Sequence, residues 1–135
     1  MSSHIHIERL IMNMIDSLVE LSLDAPVMIG IMTGGVWVAH KLHIGLQIDE
    51  PLGEININFY RDDFTRIGLH PLVTPSNLPF SVDDRNVILV DDVLHTGRTI
   101  RAALNEIFDF GRPRSVTLAA LIDRETREHH VSRRH

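Results

Sequence analysis

Val87-Ile88-Leu89-Val90-Asp91-Asp92-Val93-Leu94-His95-Thr96-Gly97-Arg98-Thr99 is the stretch that decides the fold. Four apolar residues predict a buried strand, and that strand stops on two adjacent carboxylates. A buried strand has no structural use for two aspartates at its end, because ionised carboxylates need partners or water. A solvated turn after a core strand would account for the acids taken alone. Thr96-Gly97-x-Thr99 follows where a helix should begin, and the first backbone N–H groups of a helix are unsatisfied and favour anions. Thr96 and Thr99 add hydroxyl donors, and Gly97 lets a ligand approach the backbone closely. Acids at a strand end beside an anion cradle suit a sugar phosphate carrying a metal ion. The chain has no Gly-x-x-x-x-Gly-Lys-Ser/Thr run, so a Walker loop is excluded.

The rest of the chain sets limits on this reading. At 135 residues it is one domain, large enough for a real core, and 44% hydrophobic with 23% charged residues is a globular composition. There is no cysteine, hence no disulfide and no thiolate chemistry. The start carries no basic segment followed by an apolar one, and no apolar run approaches membrane-spanning length, so a cytoplasmic protein without membrane contact is expected. A formal net charge of −5 argues against an overall basic nucleic-acid footprint. Arg124, Arg127, Arg133 and Arg134 do cluster near His129, His130 and His135, and the cluster reads as a solvated tail. The histidines lack the spacing of a structural zinc site.

Outward from the opening stretch the elements follow in a regular order. Ile7, Leu10, Ile11, Met14, Ile15, Leu18 and Leu21 recur at three- and four-residue steps and predict an amphipathic helix. Val27-Met28-Ile29-Gly30-Ile31 reads as a short buried strand, and Thr33-Gly34-Gly35 turns into a second helix through about Leu46. This second strand–loop–helix unit offers another backbone anion cradle. Residues 53 to 60 alternate, with Ile55, Ile57 and Phe59 on one face and Glu54, Asn56 and Asn58 on the other, so a half-buried strand is expected. Residues 61–80, with three prolines, read as a flexible loop or hairpin arm. A helix carrying Ile100, Ala103, Leu104 and Ile107 stops at Gly111 and Pro113, and residues 116–122 form the last predicted strand. Repeated strand–helix units imply an α/β three-layer sandwich around a mainly parallel sheet. Ligands of such sheets sit at strand C-terminal ends near a topological switch point.

The thirteen opening residues resemble the phosphoribosyl-diphosphate (PRPP) signature of type I phosphoribosyltransferases. Further blocks resemble one family among these, the PyrR regulators of pyrimidine operons. They are Gly30-Ile31-Met32-Thr33-Gly34-Gly35-Val36-Trp37-Val38-Ala39, then residues 53–64 with Phe59-Tyr60-Arg61-Asp62-Asp63, then Ile67-Gly68-Leu69-His70-Pro71, Leu78-Pro79-Phe80, and the run from Gly97 to Leu104. The resemblance implies the type I phosphoribosyltransferase fold in a single domain over 1–135. It also implies uracil phosphoribosyltransferase activity giving UMP and diphosphate, control of pyrimidine genes by nucleotides (in some members through messenger RNA), and dimers or larger assemblies. In that reading Asp91 and Asp92 are catalytic, holding the ribose hydroxyls directly or through Mg2+. Thr33 and Gly34 bind diphosphate, and Val93, Leu94, His95, Thr96, Gly97, Arg98 and Thr99 wrap the 5-phosphate and ribose. Arg61 either supplies cationic charge to the diphosphate or forms a surface ion pair with Asp62 or Asp63. His95 could act as a base, but it reads better as a residue lining the loop.

Two departures from the family pattern accompany this. Met32 stands where relatives often carry a basic or polar residue, so diphosphate binding there would rest on backbone N–H groups. The resemblance also breaks after Glu128, which makes 129–135 a non-matching tail and leaves the C-terminal base-recognising segment lacking. The alternative expectation is therefore a nucleotide-sensing, RNA-binding regulator with weak or absent catalysis.

Overall fold

Leu10, Ile11, Met14 and Leu18 wind one stripe along α1 (Ser2–Glu20), and all four are buried. The computed structural model describes residues 2–57, 75–94, 97–123 and 130–134. After α1 come β1 (Val27–Ile31), α2 (Gly34–Leu46), β2 (Gly53–Ile55), β3 (Asn86–Leu94), α3 (Gly97–Phe108), β4 (Ser115–Asp123) and β5 (His130–Arg134). α2 stops where Gln47 turns left-handed (φ 53°) and its N–H bonds back to the Ile44 carbonyl at 3.2 Å. Beyond α3 the chain turns at Gly111 (φ 155°), where a Cβ would stand 2.8 Å from Val82 Cγ2, so only glycine fits.

The strands form one sheet in the order β2-β1-β3-β4-β5. The first four are mutually parallel, and β5 runs antiparallel to β4. α1 and α2 cover one face, burying Met28, Ile88, Val90 and Ala119 with Met14, Leu18 and Leu42. α3 covers the other, where Ala103 and Ile107 pack on Val27, Ile29, Leu89 and Leu118. A strand buried on both faces has no polar side to show, which explains the unbroken apolar runs of β1 and β3. Each fully buried aliphatic side chain contributes about 1.5–3 kcal/mol, so these runs hold the sheet between its helices. The three-layer sandwich and mainly parallel sheet expected from the sequence are both present.

The order of strands fixes where a ligand can sit. β1 connects through α2 to β2 on one side, whereas β3 lies on the other side of β1. The switch point is thus the crevice at the C-terminal ends of β1 and β3.

Four local expectations change. β3 does not stop at the acids but carries them inside its last residues, pairing Asp91 with Ala120 and Val93 with Ile122. β2 ends at Ile55, and Asn56, expected on the polar face, is buried because its N–H bonds to Ser76 Oγ at 2.9 Å. The segment expected to be an arm through residue 80 is bound to β2 at its end, since Asn77 exchanges two backbone hydrogen bonds with Glu54. Residues 130–134, read as part of a solvated tail, form β5 along β4. No helix among the described residues is long and apolar enough to cross a membrane.

Candidate active site

The site is built from the start of α2 and the end of β3, which face each other across the switch point. On the β1 side, Ile31 leads through a cis Met32–Thr33 peptide bond into Thr33, the N-cap of α2. Met32 N–H donates to the Ile55 carbonyl at 2.9 Å, tying this loop to β2. Thr33 makes no side-chain capping bond, so its exposed hydroxyl does not compete with a ligand for the first turn of α2. Val36 N–H bonds to the Thr33 carbonyl at 3.2 Å, so the donors of the first turn that lack an intrahelical acceptor are those nearest Gly34 and Gly35.

On the β3 side, Asp91 and Asp92 occupy consecutive positions of one strand. Their backbone is braced by their own carboxylates. Asp92 N–H donates to Asp91 Oδ1 at 2.8 Å, and Val93 N–H donates to Asp92 Oδ1 at 2.8 Å. Asp91 is only 9% exposed, and burial pushes its carboxyl up to about 7. A hydrogen bond to the Asp92 carboxylate and the charge of Asp92 push the same way, and the Asp92 N–H offsets them in part.

The two sides are in contact. A Cβ on Gly34 would overlap the Asp92 carboxylate, coming within 3.1 Å even of its farther oxygen. A Cβ on Gly35 would press on the Val90 carbonyl and stand 3.0 Å from Asp91 Cα. The glycine pair is therefore what lets the start of α2 seat directly on the acids. Gly35 was not among the residues the sequence marked for the site. The signal was there in a second glycine opening a helix, but only the tertiary contact gives it a use.

Thr33, Gly34, Asp91, Asp92 and Val93 of the expected set are brought together at the crevice, with Leu94 at the end of β3. Gly97, Arg98 and Thr99 form the first turn of α3, which leaves the same end of β3. Arg61, His95 and Thr96 lie outside the described residues, as do 58–74 and 124–129. Among the described residues no three histidine, aspartate or glutamate side chains gather as a metal cluster.

Comparison with known proteins fits this geometry. A phosphoribosyl transferase domain matches residues 1–133. The bifunctional protein PyrR of Nitrosococcus oceani is 67% identical over 111 residues, which are 81% of this chain and 63% of that protein. The protein of the same name from Pseudomonas paraeruginosa is 59% identical over 111 residues, 82% of this chain and 65% of that one. The chain thus spans somewhat less than two thirds of the length of these curated relatives. Among solved structures, a purine phosphoribosyltransferase from Pyrococcus horikoshii superposes with a TM-score of 0.65 at 30% identity, covering 87% of this chain and 73% of that one. A hypoxanthine-guanine phosphoribosyltransferase from Bacillus anthracis shares the fold at 20% identity, also with a TM-score of 0.65. By its sheet, its switch-point crevice and the domain match over nearly its whole length, the chain belongs to the phosphoribosyl transferase domain family.

Proposed function

We propose that this chain binds PRPP and transfers its phosphoribosyl group to uracil, giving UMP and diphosphate. The observation that carries the reading is the seating of Gly34 on Asp92, which joins an anion cradle to a carboxylate pair at one strand switch point. In the transfer, the bond from ribose C1 to the diphosphate oxygen breaks and the bond from C1 to uracil N1 forms. The N1 proton passes to solvent or to a nearby base. Thr33 and Gly34 present the start of α2 to the diphosphate, where backbone N–H groups meet charge that grows as it leaves. Gly97, Arg98 and Thr99, with Thr96, offer the first turn of α3 to the 5-phosphate, beside Val93, Leu94 and His95. Asp91 and Asp92 hold the ribose hydroxyls and the positive charge that develops at C1.

The donor set also fits magnesium. Two crowded carboxylates offer only oxygen acceptors, and the ionisation of Asp91, which burial and the neighbouring Asp92 oppose, is favoured by a hard cation. Asp91 and Asp92 would hold such an ion together with substrate and water oxygens, and when bound it neutralises the diphosphate leaving group. Arg61 adds cationic charge in this reading. The name of the relatives, a bifunctional protein, favours a second role beside the first: nucleotide sensing in the control of pyrimidine genes, acting on messenger RNA. A cytoplasmic location suits both roles and the cysteine-free sequence.

The test is UMP formation from uracil and PRPP with Mg2+, beside UMP binding and a salt-dependent RNA titration. Turnover in the wild type, abolished in Asp92→Asn, is expected. Retained UMP binding without turnover would overturn the enzymatic reading and leave the sensor.

A further inference from the structure

Glu106, near the end of α3, is a buried carboxylate that the transfer reaction leaves unused. A carboxylate between a helix and a sheet is costly to bury, and an aliphatic side chain would serve the packing of α3 on β2 as well. Glu106 Oε2 accepts the Ser76 hydroxyl at 2.6 Å, the short separation of an O–H donating to a carboxylate. Ser76 is held beside β2 by its neighbour Asn77, which exchanges two backbone hydrogen bonds with Glu54.

A single peptide group joins this pair to the site. The bond between Ile55 and Asn56 presents its N–H to Ser76 Oγ at 2.9 Å and its carbonyl to Met32 N–H at 2.9 Å. Met32 lies one residue beyond β1 and opens the loop that runs through Thr33 into Gly34 and Gly35. A backbone N–H can only donate, so Ser76 accepts from Asn56 and turns its own proton to the carboxylate. Every proton in the series therefore points the same way, from Met32 N–H through the Ile55–Asn56 peptide and the Ser76 hydroxyl to Glu106. Bonds in such a series polarise one another, and a carboxylate at the accepting end strengthens the links before it.

We propose that Glu106 is a positioning residue for the loop that takes the diphosphate. It acts through Ser76 and the Ile55–Asn56 peptide to fix Met32 and, beyond it, the donors at the start of α2. The inference rests on the reading of Thr33 and Gly34 as the diphosphate-binding part of a PRPP site. Met32 brings no charged side chain to that loop, so binding there depends on how accurately the backbone N–H groups are aimed. Gly34 and Gly35 fix one side of the loop by seating on Asp92 and Asp91, and Met32 fixes the other. Glu106 also belongs to the helix whose first turn is read as the 5-phosphate cradle, so the same series ties both phosphate-binding turns to one frame.

Titration calorimetry of the full chain with PRPP and with UMP, each with Mg2+, tests it. Ser76→Ala and Glu106→Ala should each weaken PRPP binding about tenfold and leave UMP binding within about twofold, since UMP carries no diphosphate. Glu106→Gln, whose amide oxygen still accepts from Ser76, should stay within about threefold of the wild type for PRPP. Ser76→Ala combined with Glu106→Ala should be no worse than Ser76→Ala alone, because Glu106 acts through the hydroxyl. Ile107→Val, which loosens the same helix without touching the series, should change neither affinity. A wild type that does not bind PRPP would overturn the diphosphate reading and this inference with it. Wild-type PRPP binding that persists unchanged in Ser76→Ala and Glu106→Ala, or that falls in step with UMP binding, would overturn this inference alone.

Discussion

Replacing Asp91 by asparagine should stabilise the fold at pH 8 and leave it unchanged near pH 4. In the unfolded chain this carboxyl titrates near 3.8, and in the fold near 7, with burial as the first cause and Asp92 as the second. Between those values the native state keeps a proton that the unfolded chain has lost. Stability therefore falls as pH rises through that window and levels off above about 7. At about 1.4 kcal/mol per unit, an interval of about three units would cost about 4 kcal/mol, and relaxation of the pair lowers this to about 2–4 kcal/mol. Asparagine keeps the side-chain oxygen that accepts Asp92 N–H and carries no charge to bury. Urea unfolding followed by far-UV circular dichroism at pH 4, 6 and 8 measures the difference, which for a chain this size is roughly 10 °C in Tm at pH 8. A variant no more stable than wild type at pH 8, or equally stabilised at every pH, would refute the electrostatic account of the pair.

Three further outcomes follow from particular contacts. Gly34→Ala should keep the far-UV spectrum but weaken PRPP binding at least tenfold, since its Cβ displaces the Asp92 carboxylate; calorimetric titration reads this. Ser76→Ala should lower stability by about 1–3 kcal/mol in urea, because Glu106, buried on α3, loses the hydroxyl that donates to it at 2.6 Å. Thr117→Val should leave stability unchanged or raise it by about 1 kcal/mol, because Thr117 Oγ1 is buried with no hydrogen-bond partner among the described residues.

The sequence exposes most of the framework because β1 and β3 are buried on both faces and read as apolar runs, while α1 is buried on one face and reads as an apolar stripe at helical spacing. Of the candidate site, Asp91 and Asp92 stand out in the sequence because carboxylates end an apolar strand, and Thr33 and Gly34 because they open a helix after another apolar strand. What the sequence hides is set by contacts between distant segments. Asn56 looks like a solvent-facing strand residue until Ser76, twenty positions later, bonds to its N–H. Gly35 looks like part of a turn until β3 passes beneath it. β5 has no alternating apolar run, and its place is set by the backbone edge that β4 offers rather than by its own pattern.

The central claim, a PRPP site where the start of α2 meets the acids of β3, is tested most directly by titration calorimetry of the chain with PRPP and Mg2+. The account predicts saturable one-site binding, weakened about 100-fold or more in Asp92→Asn while urea unfolding shows the variant still folded. Undetectable binding to the wild type, or equal binding to both proteins, would contradict it.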